Sequence, residues 1–359
     1  MPLPEPTPAA EPTPAAVPAP AAVPATHRQV LLAARPEGTL TTDHFEVTTA
    51  PVPEPGPGQV LVRNRLMNVA AVMRPLTIAD PDSFALAQLL QRPGDPMHGP
   101  AIGEVVAAGP GTDLVPGALV RHRLGWREYA VVDAAEAERL SPGALPDPAA
   151  YLSQGFAAWL GVVRGAEVRD GDTVFVSGAA GGVGTLAGQF ARLHGAARVI
   201  GSTGSPRKAE YLVKELGYDA AVVRGAGPIE DQLREAAPDG IDALFDNVGG
   251  EQLLAALAVA RRGARFALVG ALSAQLTGDA MATVPISTFD LIARGITLRG
   301  TAAFDHMDAY PRYEREFGGA LREGTMTYPH TRLRGVEQAP RALCELVEGR
   351  HVGAVLVEL

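Results

Sequence analysis

With 359 residues, 47% of them hydrophobic and 20% charged, the chain is long enough for a sizeable core and for two domains. Its formal net charge of -9 argues against nucleic acid as the main partner. The single cysteine, Cys344, excludes an internal disulfide framework and a multi-cysteine zinc site, so no metal is expected, and no apolar run is long enough to span a membrane. The first residues also lack the basic and apolar regions of a secretory signal, which with the lone cysteine predicts a reducing, cytoplasmic setting.

Residues 1–26, "MPLPEPTPAAEPTPAAVPAPAAVPAT", are Pro/Ala-rich and predict a semi-stiff, solvated tail that cannot form a core. Order is expected from His27. "HRQVLLAARP", "HFEVTTAPVP" and "GQVLVRNRLM" read as short strands between Pro/Gly turns, and "GEVVAAGPGTDLVPGALVRHR" and "WREYAVVD" continue in that style. From Thr173 apolar strands alternate with helical stretches, the pattern of a doubly wound parallel α/β sheet. After residue 324 a helix, "VEQAPRALCELVEG", precedes a last strand, "GAVLVEL", expected to return to the first domain. The division predicted is therefore a tail at 1–26, one domain of 27–151 with 324–359, and a second of 152–323.

"TVFVSGAAGGVGTLAGQFARLHG" is strand, glycine loop and helix in order, with Gly178, Gly181 and Gly184 spaced GxxGxxG and Gly182 beside them. Glycine lets such a loop turn tightly, lets backbone N–H groups approach a pyrophosphate, and lets the helix sit close to the sheet. The helix N-terminus adds partial positive charge. The loop predicts a dinucleotide site. In "VIGSTGSPRK" the next strand ends without the Asp or Glu that would take the ribose hydroxyls of NAD. Ser202 stands at that place, Arg207 and Lys208 follow, and Arg224 comes after the third strand. Hydroxyls and cations suit a 2′-phosphate, so NADP is expected. The remaining strand ends, at Asn247, at Gly270–Leu272–Ser273 and at Thr301–Ala303, are expected to line the same crevice.

In this order these segments resemble the zinc-independent medium-chain dehydrogenase/reductase superfamily, nearest its prostaglandin reductase, leukotriene B4 dehydrogenase and curcumin reductase-like group. The resemblance covers residues 27–359. It rests on "PVPEPGPGQVLVRN", "GEVVAAG", "GWREYAVV", "SGAAGGVGTLAGQFARLHG", "KELGYDAAV", "FDNVGGE" and "EGRHVGAVLVEL". It implies a GroES-like, β-rich substrate domain on a Rossmann cofactor domain, NADPH, a homodimer formed through the cofactor domain, and reduction of the C=C bond of α,β-unsaturated carbonyls. It implies also that Gly181, Gly182, Val183 and Gly184 lie against the pyrophosphate and Lys208 against the 2′-phosphate. Asn247, Gly270 to Gln275, and Thr301 to Ala303 would border the rest of the cofactor. His351 stands where the family has Asn, and Arg224 where relatives often have Tyr.

The departures concern the polar groups expected over the nicotinamide. In "AAVMR" Val72 replaces a family Tyr, in "LSAQL" Gln275 replaces another, and "SQGFAAW" has lost a Thr at Ala157. Small apolar replacements predict a larger, less polar pocket, with Val72 and Ser153 on its wall and an apolar or polyketide-like substrate. Asn68, His98 and Gln275 are the candidate hydrogen-bond or proton donors, with water as an equal alternative. Two further readings stay open: NADPH-dependent quinone or carbonyl reduction, and a non-redox cyclase, isomerase or ligand-binding protein that keeps the fold.

Overall fold

The computed structural model describes residues 22–78, 90–141, 143–273 and 283–359, and two sheets carry their architecture. The chain opens on an antiparallel ribbon of β1 (Thr26–Leu32) and β2 (Phe45–Pro51). A seven-stranded sheet follows, built on β3 (Gln59–Val69), the longest strand. A short helix, α1 (Met73–Ile78), leads to β4 (Ala101–Ala108), β5 (Leu119–His122), β6 (Tyr129–Asp133) and β7 (Glu138–Arg139). β5 alternates between buried and partly buried residues, as a strand with one face on a core does, whereas β3 is buried along most of its length at the centre of the sheet.

The second sheet has six parallel strands interleaved with helices: β8 (Thr173–Val176), α3 (Gly184–Leu193), β9 (Arg198–Thr203), α4 (Pro206–Leu216), β10 (Ala220–Val223), α5 (Ile229–Ala236), β11 (Ile241–Asp246), α6 (Gly250–Val259), β12 (Ala260–Leu268), α7 (Thr288–Arg294) and β13 (Thr297–Gly300). α2 (Gly155–Leu160) lies ahead of them in the chain. Spatial order is β10-β9-β8-β11-β12-β13, the doubly wound Rossmann order, with its switch point between β8 and β11. In the inner strand "TVFV" Val174, Phe175 and Val176 are apolar and buried in succession because helices cover both faces.

After α8 (Tyr310–Glu323) the chain goes back to the first sheet. β14 (His330–Arg334) pairs with β15 (Ala354–Glu358), which pairs antiparallel with β3, and α9 (Ala339–Val347) lies between the two in sequence. One core joins the two sheets. Leu66, Ile102 and Leu356 of the antiparallel sheet belong to the same buried cluster as Trp159, Phe190, Val174 and Tyr313.

Candidate active site

Close approach of α3 to the sheet explains its glycines. A Cβ at Gly188 would stand 2.2 Å from the Tyr218 ring, and one at Gly184 would meet Gly178 O at 2.4 Å. Tyr218 in turn donates to Gly184 O (2.7 Å), pinning the first turn of α3. Gly178 takes a positive φ of 61°, which a side chain would disfavour. The loop this produces leaves the N–H groups of Gly182 and Val183 without a backbone partner among the described residues. Two such donors at the head of a helix suit a pyrophosphate.

At the switch point the ends of β8 and β11 are tied by a buried polar knot. Ser177 Oγ donates to Asp246 Oδ1 (2.6 Å), and Asp246 also accepts from the N–H groups of Val248 and Gly249 (each 3.0 Å). Asn247 belongs to this knot, donating from Nδ2 to Ser177 O (2.9 Å). Gly270 follows β12 and comes so close to Asn247 that a Cβ there would meet its carbonyl at 2.8 Å. Leu272 and Ser273 donate to Asn247 O and Val248 O (each 3.0 Å). Thr301 continues from β13, its N–H on Leu268 O (2.9 Å), and Ala303 begins the next turn.

The corner beyond β9 differs from expectation in one residue. Ser202 is fully buried; its hydroxyl accepts from Gly178 N–H (3.0 Å) and donates to Gln252 Oε1, so it is taken up inside the sheet. What faces the corner is Ser205, the N-cap of α4 with no cap hydrogen bond, together with Lys208 and Arg224. The guanidinium of Arg224 lies over Gly204 and has no hydrogen-bond partner among the described residues. Lys208 donates to Gly349 O (2.5 Å) and His351 O (2.6 Å), and burial pulls its pKa down. An ammonium has three hydrogens, so one remains for a phosphate.

Through Lys208 the corner is joined to the loop ahead of β15. Gly353 N–H donates to Ala180 O (2.9 Å) and Gly353 bridges to Gly181. The glycine loop thus abuts the antiparallel sheet. His351 brings its Nε2 within 3.1 Å of Glu345 Oε2; its pKa is lowered, first by desolvation and also by the Lys208 and Arg341 cations, against the opposing pull of Glu345.

The candidate donors fare differently. Asn68 is buried, donating from Nδ2 to Leu152 O (3.2 Å) and accepting on Oδ1 from Gln154 Nε2 (3.2 Å). Ser153 shares a hydrogen bond with the buried Tyr313 hydroxyl (3.1 Å), behind the surface. His98 is exposed, and its pKa is lowered, first by partial desolvation and then by the Arg127 guanidinium. Val72 is 45% exposed. Gln275 lies outside the described residues. The residue that sequence reasoning missed is Gln154, whose partners Asn68 and Gly182 are distant in the chain. A cavity of about 510 Å³ lies beside Thr301, lined by Arg164, Glu167, Arg299 and His306 among others. It shares no residue with the glycine loop, and Arg299–Glu167 (2.7 Å) and Arg164–Asp308 (3.0 Å) pairs already balance its arginines.

Strand order and loop geometry put the chain in the class of two-sheet, dinucleotide-dependent proteins. Residues 28–140 match the family described as the N-terminal domain of oxidoreductase, and residues 182–317 the one described as zinc-binding dehydrogenase. The chain is 31% identical to the NADP(+)-dependent 2-alkenal reductase of Nicotiana tabacum over 85% of its length and 88% of the relative's. It is 27% identical to the NADPH-dependent curcumin reductase of Escherichia coli (strain K12) over 93% and 97%. The solved structure of CurA from Vibrio vulnificus in complex with NADPH superposes with a TM-score of 0.81 at 28% identity, covering 92% of this chain and 98% of that one. The chain belongs to the zinc-independent medium-chain dehydrogenase/reductase superfamily, in its group of prostaglandin, curcumin and alkenal reductase-like NADP-dependent oxidoreductases. One of the matched families is named for zinc, but among the described residues no three His, Cys, Asp or Glu side chains are grouped to hold a metal ion.

Proposed function

We propose that the protein reduces the C=C bond of an α,β-unsaturated carbonyl with NADPH, on an apolar substrate, in the cytoplasm. The observation that carries this reading is the combination of loop N–H groups at Gly182 and Val183, without a backbone partner among the described residues, with a cationic corner at Lys208 and Arg224 that has no carboxylate at the end of β9. That pairing suits a pyrophosphate on one side and a 2′-phosphate on the other. When bound, NADPH would supply the hydride that the β-carbon receives. The residues bind and orient: Gly181 to Gly184 take the pyrophosphate, Ser205, Lys208 and Arg224 take the 2′-phosphate, and Asn247, Gly270 and Thr301 border the track toward the substrate. Holding the reacting carbons together supplies much of the rate through effective molarity.

The α-proton comes from water in this reading, because Asn68 is occupied by Leu152 and Gln154 and His98 is biased toward its neutral form. The substrate wall includes Val72, where an apolar side chain replaces a hydroxyl. Assembly is a homodimer through the second sheet: β13 is its edge strand, and Phe289 and Ile292 on α7 are 76% and 78% exposed. The test is NADPH oxidation with 2-alkenals and cyclic enones set against the matching saturated aldehydes and ketones. Turnover of the enones alone is expected; equal turnover of saturated carbonyls would refute the reading.

A further inference from the structure

Gln154 occupies a position the rest of the fold does not explain. Two side-chain amides, Asn68 and Gln154, form a line from the antiparallel sheet to the glycine loop. Asn68 on β3 must point its Nδ2 at Leu152 O, since two carbonyls would repel each other. Its Oδ1 therefore faces Gln154, which must present Nε2 to it. That fixes the last orientation too. Gln154 Oε1 points away from Asn68, buried and without a hydrogen-bond partner among the described residues. It lies against Gly182, where a Cβ would stand only 2.7 Å from it. A buried carbonyl left unpaired forfeits its hydration without return, so a site that keeps one has a use for it.

The neighbouring ligand decides the use. A pyrophosphate offers only acceptors, so a carbonyl aimed at it would be repelled. Donors come from the two riboses on either side. The adenosine side is occupied by the corner at Lys208 and Arg224. The other ribose, on the nicotinamide side, would lie away from that corner, on the side where Asn68 on β3 and Gln154 at the start of α2 stand, and it carries two hydroxyl donors. We infer that Gln154 Oε1 accepts a hydrogen bond from a hydroxyl of the nicotinamide-side ribose, with Asn68 holding the amide in the required orientation. Gly182 is glycine partly because any side chain would displace that carbonyl. The inference rests on the glycine loop holding the pyrophosphate.

Calorimetric titration separates the outcomes. NADPH and adenosine 2′,5′-bisphosphate are each titrated into the wild type, Gln154→Met and Lys208→Ala. The bisphosphate carries the adenine half and the 2′-phosphate but no nicotinamide-side ribose. Gln154→Met is expected to weaken NADPH about three- to tenfold, the size of one neutral hydrogen bond, and to leave the bisphosphate within about twofold. Unchanged NADPH binding, or an equal loss for both ligands, would overturn the inference. Lys208→Ala is expected to weaken both; if it weakens neither, the cofactor placement itself has failed. Retained bisphosphate binding reports that the variant is folded. Should the methionine variant not fold, Gln154→Asn keeps an amide but shortens its reach, and the same comparison applies.

Discussion

Lys208 carries two demands on one ammonium. It ties the 349–351 loop through two carbonyls, and burial already disfavours its charge, so a phosphate dianion on the third hydrogen would restore what desolvation removes. Lys208→Ala is therefore expected to raise the dissociation constant for NADPH about 10- to 100-fold, from one lost charged hydrogen bond, and that for NADH much less. Arg224→Ala should give the same selectivity with no change in melting temperature, because its guanidinium has no hydrogen-bond partner among the described residues. Equal losses for both nucleotides would move the 2′-phosphate elsewhere. His122 supplies a second prediction. It is buried, accepts on Nδ1 from Leu124 N–H (3.0 Å) and bonds Asn64 through Nε2 (2.8 Å). Desolvation, aided by Arg127, pulls its pKa down to about 4 from 6.5. A base with a lowered folded pKa contributes stability that is fully present above pH 6.5 and lost as pH falls toward 4, up to roughly 3 kcal/mol. Urea titrations at pH 7 and 5 should show a larger fall for the wild type than for His122→Gln. Identical falls would contradict this.

The glycines of α3 set how close an element can come to the sheet. Gly188→Ala would drive a methyl into the Tyr218 ring, and overpacking of this kind costs about 1–3 kcal/mol, measurable as a lowered denaturant midpoint. An unchanged midpoint would mean that Tyr218 can yield, although its hydrogen bond to Gly184 O argues otherwise. These elements were legible in the sequence because a strand, a glycine-spaced loop and an amphipathic helix follow one another without long-range information. Ser202 was not. β9 is buried along nearly all its length, so no alternation of polar and apolar residues tells which way a side chain points, and a serine hydroxyl serves the sheet as readily as a ligand. Asn247 was expected at a strand end bordering the crevice, while its hold on Ser177 depends on the pairing of β8 with β11. Gln154 was hidden for the same reason: its meaning arises only when Asn68 and Gly182, 86 and 28 positions away, are brought to it.

For the whole molecule, one buried cluster spans the two larger sheets, and the glycine loop is stitched to the residue that leads into the strand returning to the antiparallel sheet. Phe289 and Ile292 on α7, just before the edge strand β13, and Phe304 and Met307, just after it, are exposed. Phe289→Glu with Ile292→Glu is expected to convert a dimer to a monomer in size-exclusion chromatography with light scattering, and an unchanged mass would place the contact elsewhere. The reaction itself is tested most directly by deuteride transfer. With 4-deuterated NADPH and a panel of apolar enones, mass spectrometry is expected to find deuterium on the β-carbon of a saturated product. Deuterium on a carbinol carbon, or a product isomeric with its substrate and free of deuterium, would contradict the account.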